Sequence, residues 1–168
     1  MSPAVGVAVL LAVTTLLAAA VAAGVGVHAV RDPAPQVRVT GAVSADDAWP
    51  DGQVIELTHE AGQRLDVSDL ALVVTLSRAD GPARLSGFPT RRLTGEHVAG
   101  PAVFDGGYAG IDGAIDAAHT DGQWASGETG DVRIARGDYD VRPEETVRVA
   151  VVHLPTNAVV ARLSLVAS

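Results

Sequence analysis

The sequence predicts a mainly β protein: an N-terminal membrane-spanning α-helix followed by an immunoglobulin-like antiparallel β-sandwich. Three observations lead there. Residues 3–27 (PAVGVAVLLAVTTLLAAAVAAGVGV) carry no charge, with Thr14 and Thr15 as the only polar side chains. From Gln36 onward the apolar residues recur with period two, the signature of half-buried strands. The strand-like segments number about seven or eight and are separated by Gly, Pro, Asp and Asn turns, with no convincing soluble helix among them.

The apolar run exceeds the about 20 residues that cross a bilayer as a helix. At 1.5 Å per residue it would extend roughly 37 Å, enough to span with some tilt. Being apolar on every face, it is not an amphipathic helix of the remaining chain. Ser2 suits an N-cap and Pro3 a first helical position. Small residues recur every fourth position, as in Ala18/Ala22 and Ala19/Ala23, and such spacing lets helices in lipid approach closely. Ala18, Ala19, Ala22 and Ala23 are therefore the expected assembly face, against the plainer reading of an Ala-rich anchor. The predicted organisation is a helix over 1–30, a linker over 31–35 in which Pro33 and Pro35 stop the helix, and a head over 36–168.

Within the head, Val37, Val39 and Val43 alternate with polar neighbours, and residues 46–52 read as a turn. Residues 53–59 (QVIELTH) alternate again, and Glu60–Gln63 turns the chain. Residues 70–76 (LALVVTL) are nearly all apolar, as in a central strand. Residues 78–130 read as long loops joining short strands, residues 131–135 as one short strand. The tail reads as a hairpin, VRVAVVHLP and AVVARLSLV about a turn at Thr156–Asn157.

The start, Ser2-Pro3-Ala4-Val5-Gly6-Val7 followed by LLAVTTLLAAAVAA, resembles the N-terminal segment of archaeal type IV pilins, especially those of halophiles. Ser2, Pro3 and Gly6 match the processing motif. The stretch THEAGQRLDVSDLALVV and the closing hairpin are similar to further blocks of the same family. The resemblance implies a leader removed by a prepilin peptidase, packing of the N-terminal helix with its copies or with other pilins, and a head outside the cell. Met1 stands where the residue before Ser-Pro belongs, so either an upstream start supplies the leader or this is an unprocessed relative.

Composition narrows the chemistry. The chain has 168 residues, net charge −8, no Cys, and Arg as its only strongly basic residue. The absence of Cys removes thiolate nucleophiles and Cys-based zinc sites. An acidic surface argues against nucleic acid, whose phosphates need a basic face. An acidic, Lys-free chain fits a protein exposed to very high salt; high-GC codon usage gives the same bias. Asp105, Asp112, Asp116 and Asp121 lie in one Gly-rich stretch with oxygen ligands for Ca²⁺. Their spacing is not that of an EF-hand, so the stretch reads as a solvated acidic loop and no metal is assigned. His59-Glu60 lacks the second His of a zinc-protease motif, and Ser86-Gly87 lacks the frame of a nucleophile elbow. His97 and His119 pair with nothing at a recognisable spacing. Trp49 and Trp124 read as packing residues.

These readings add up to a non-enzymatic, cofactor-free pilin-like subunit of a cell-surface filament. It serves adhesion, sits in the membrane by one span with its head outside, and touches lipid and its own copies. The alternative is a monomeric membrane-anchored extracellular binding module.

Overall fold

In the computed structural model, residues 33–45, 52–137 and 139–168 are described. They form eleven strands: β1 (Val37–Val43), β2 (Val54–Gly62), β3 (Leu65–Asp66), β4 (Leu70–Thr75), β5 (Ala83–Ser86), β6 (Val98–Ala99), β7 (Ile111–Gly113), β8 (Gln123–Trp124), β9 (Thr129–Arg133), β10 (Thr146–His153) and β11 (Ala158–Val166). All pairings between them are antiparallel. A four-stranded sheet has the order β1-β2-β9-β7 and a five-stranded sheet the order β11-β10-β4-β5-β6, with β3-β8 as a separate two-stranded piece. Setting β3 and β8 aside, this is the strand order of a nine-stranded variable-type immunoglobulin sandwich.

The fold class needs one correction. Among the described residues the single helical element is the three-residue 3₁₀ turn Val67–Asp69. No helix among them is long and apolar enough to cross a membrane. The described residues are therefore mainly β, and the expected combination of a long helix with a sandwich is not seen among them. The long apolar segments after Pro35 either alternate with period two or, in β4, form a short apolar, β-branched run, and both suit strands rather than a helix. The helix expected over 1–30 lies outside the described residues, and with it Ser2, Pro3, Gly6, Ala18, Ala19, Ala22 and Ala23.

The alternation seen in the sequence sets which side chains meet. Val39 and Val43 of β1, Ile55 and Leu57 of β2 and Val132 of β9 face Leu72, Val74, Leu85, Val147, Val149 and Val151 of the other sheet in one buried cluster. Removing a Val or Leu side chain from water contributes about 1.5–3 kcal/mol, so this cluster is the main stabilising element. The free edge of one sheet is also tied to the other: Ser168 N–H donates to Val43 O at 3.2 Å, and Ala45 N–H to Ser168 O at 2.9 Å. Bulges between Arg38 and Val39 and between Val151 and Val152 shift the register of the two hairpins. The β10–β11 hairpin turns through Asn157, which takes φ 51°, a left-handed conformation that Asn tolerates.

Two expectations move. The strand expected to end near His59 runs to Gly62, because Gly62 pairs with Val37 and continues the ladder. The short strand expected over 131–135 is β9 and covers Thr129–Arg133 instead, while the region 78–130 holds the short strands β5 to β8 between its long loops.

Candidate functional site

Chemistry-bearing side chains gather at the β7 end of the four-stranded sheet. Asp112 sits on β7, exposed on the outer face. The chain then turns at Gly113, whose φ of 69° favours glycine; a Cβ there would run into the Thr129 carbonyl of the neighbouring strand. Ala114 and Ile115 are buried and anchor the following loop in the core. The loop is held against residue 90 by Ala117 N–H donating to Thr90 O at 3.2 Å. A tight turn closes it, with the N–H groups of His119 and Thr120 both donating to Asp116 O at 3.0 Å.

That path brings His119 back over the two carboxylates. Its Nδ1 lies 2.9 Å from Asp112 Oδ1 and 3.1 Å from Asp116 Oδ2. Backbone donors orient both acids: Gly113 N–H to Asp112 Oδ1 at 2.7 Å, and Ala118 N–H to Asp116 Oδ1 at 2.9 Å. Asp116 is buried, whereas Asp112 and His119 are exposed. Ligand atoms of all three lie within 4.8 Å of one another. A mixed set of two oxygens and one nitrogen at this spacing has the chemistry to hold a divalent cation. Without one, the imidazole Nδ1 lies within hydrogen-bond distance of both carboxylates.

This corrects the reading of His119 as a loop residue without partners. The signal was the spacing Asp112-x₃-Asp116-x₂-His119, hidden because the three residues span a strand end and a loop. The other acids of the stretch go elsewhere. Asp121 accepts from Gln123 N–H at 2.9 Å and shapes the turn before β8. Asp105 lines a separate cleft of about 570 Å³ with Arg92, Leu93 and Phe104. At its rim the Arg92 guanidinium lies 5.7 Å from the centre of the exposed Tyr108 ring.

Beside Asp112 the outer face continues across the sheet. Register places Asp112 opposite Asp131 of β9, and Asp131 opposite Glu56 of β2. Burial pushes the Asp131 carboxyl above the ordinary aspartate range, with the Glu56 and Asp112 charges adding to the effect. Its Oδ1 is buried without a hydrogen-bond donor, and the nearby Arg133 Nε is buried without an acceptor. A cleft of about 240 Å³ is lined by Asp112, Asp131 and Arg133.

The remaining polar groups are structural. His59 is fully buried, its ring edge-on to Trp124 at 5.7 Å between centroids. Its Nδ1 and Nε2 each lie 3.0 Å from a carbonyl oxygen, of Trp124 and Ala61 respectively. Trp124 Nε1 donates to Glu128 O at 2.9 Å. Both rings are core residues, and Trp49 lies outside the described residues. His97 Nδ1 accepts from Thr94 N–H at 3.2 Å and closes a local turn.

No protein-family profile matches the chain, and no curated protein matches it at a significant level.

Proposed function

We propose that the chain is a pilin-like structural subunit of a cell-surface filament, held and assembled through its apolar N-terminal segment and displaying the β-sandwich outside the cell. The observation that carries this reading is the uncharged run of residues 3–27 opening on Ser2-Pro3 and joined to a separate β head. An unbroken apolar stretch of that length partitions into lipid, and its small residues suit close packing between copies. The head supports the reading in kind. Ala34–Ser168 is one compact unit with its own core, and its charged side chains lie on the outer faces of the sheets and in loops. Such a unit presents surface to solids, cells or neighbouring subunits. In this reading the subunit makes and breaks no bond, and its partners are its own copies or related subunits and the lipid around them.

The test is to shear surface filaments from cells, image them by electron microscopy and identify the subunits by mass spectrometry. This chain is expected in the filaments. Bulky changes at the small-residue positions, Ala19→Leu or Ala22→Leu, should leave the protein in the membrane and deplete it from filaments. Leu16→Ala or Leu17→Ala should not. Equal filament-to-membrane ratios for the two kinds of change would defeat assembly through this segment.

A second reading, an anchored extracellular binding module, is favoured by the Asp112–Asp116–His119 arrangement. It requires a divalent cation to raise the melting temperature of the wild type but not of His119→Ala, in a chain that never enters filaments.

A further inference from the structure

The two outer faces of the sandwich differ in charge. None of the strands β4, β5, β6, β10 and β11 contains an Asp or Glu. The chain as a whole has net charge −8, so this sheet is set apart. Its outer face carries Arg84, Arg148 and Arg162. Register places Arg84, Val73, Ala150 and Arg162 in one row across four strands, with Thr75, Arg148 and Ser164 in the next. Arg148 and Arg162 are exposed. Among the described residues the only ion pairs are those of His119, so all three arginines lack a carboxylate partner. Between Arg148 and Arg162 a shallow groove of about 270 Å³ runs over Val73 and Ala150. Val159 and Val166, at 42% and 62% exposure, extend the apolar surface along β11.

The opposite face carries the row Glu56–Asp131–Asp112. Arg133 lies one row away, opposite Val54. Asp131 Oδ1 is a buried acceptor lacking a donor and Arg133 Nε a buried donor lacking an acceptor, whereas Glu56 and Asp112 on either side of Asp131 are exposed. One face thus has unpaired planar donors and the other a crowded row of carboxylates with exposed members at both ends. Guanidinium and carboxylate match as bidentate partners. Both needs are met by a single kind of partner, a second copy of this chain.

We propose that copies of the head dock face to back, the Arg148/Arg162 face of one copy on the Glu56–Asp131–Asp112 row of the next. The two surfaces lie on opposite sides of the sandwich, so the contact is heterologous and generates an open row rather than a closed dimer. An unrelated polyanion would satisfy the arginines but leave the carboxylate row bare. Pairs brought into contact over an apolar floor are screened by salt less than isolated surface charges. The proposal rests on the filament reading and adds a head-to-head contact to it.

The chain has no Cys, so engineered thiols report the contact without background. Ala42, exposed beside Glu56, and Ser164, exposed beside Arg148, are suitable positions that keep the charges. In the full chain on cells, copies carrying Ala42→Cys are co-expressed with copies carrying Ser164→Cys and treated with a short bismaleimide. The expected product is the mixed 42–164 cross-link, in excess over 42–42 and 164–164. Adding Arg148→Glu and Arg162→Glu to the Ser164→Cys copy should lower the yield about tenfold. Adding Glu56→Arg and Asp131→Asn to the Ala42→Cys copy should then recover part of it. Absence of the mixed product, predominance of a like-with-like product, or indifference to charge reversal overturns the contact. A chain found in sheared filaments without the cross-link defeats the contact and leaves the filament reading. A cross-link between copies on cells whose sheared filaments lack the chain supports the contact and defeats the filament reading.

Discussion

The side-chain amide of Gln53 reads the backbone of Val141 as a strand would. Gln53 Oε1 accepts from Val141 N–H at 2.7 Å and Gln53 Nε2 donates to Val141 O at 2.6 Å. Nε2 also lies 3.3 Å from Ala45 O. Both bonds to Val141 are buried and join segments 88 residues apart. Gln53→Leu fills similar space but leaves a buried N–H and a buried C=O without partners, an expected loss of about 2–5 kcal/mol. Gln53→Glu keeps the acceptor and sets a carboxylate oxygen against the Val141 carbonyl. Its loss should shrink at acid pH, where the protonated carboxyl donates again. Urea unfolding of residues 34–168 alone, at neutral and acid pH, measures both. A Leu variant as stable as the wild type would show the clamp to be dispensable.

His59 should contribute through both packing and hydrogen bonding. His59→Phe retains a ring against Trp124 but abandons the carbonyls of Trp124 and Ala61, an expected cost of about 1–3 kcal/mol. His59→Ala also opens a cavity and should cost about 3–5 kcal/mol. Equal stabilities for Phe and His would mean that the two carbonyls gain nothing from the imidazole.

Asp131 should make the head less stable as pH rises. Its carboxyl binds a proton more tightly in the folded chain than in the unfolded chain, where the ordinary value is 3.8. The penalty is therefore absent below 3.8, grows as pH climbs from 3.8 toward the raised folded value, and is complete above it. Asp131→Asn removes the charge, so it should stabilise residues 34–168 at pH 7 and leave them unchanged near pH 3. A variant that loses stability at pH 7 would show the carboxylate to be compensated.

Gly113→Ala should be costly for its size. The φ of 69° opposes any L side chain, and the added Cβ meets the Thr129 carbonyl. Strain of this kind is worth about 1–3 kcal/mol, and relieving it would shift β7 against β9. The checks are the thermal midpoint and the imidazole resonances of His119. A variant with wild-type values for both would show that the turn absorbs a methyl group.

How much of this was legible in the amino-acid order depends on the length of each element. By itself the sequence determined that residues 3–27 are uncharged and apolar, and that the head is built from strands. The runs of β1, β2, β10 and β11 are long enough to show an alternation, and alternation assigns each side chain to a face before any partner is known; β4 is legible instead as an unbroken apolar, β-branched run. Strands β5 to β8, of two to four residues, are too short to show a period, and only pairing with distant segments makes them strands. The tertiary structure alone decided three further matters. It returned His119 onto Asp112 and Asp116, it placed Val141 against Gln53, and it gathered Arg84, Arg148 and Arg162 on one side of the sandwich and Glu56, Asp131 and Asp112 on the other. The first is the work of a local turn anchored in the core, and the other two join segments far apart in sequence. A shift of one residue in any pairing would send the side chain to the opposite face, and the energy that forbids the shift belongs to the shared core, not to any single stretch.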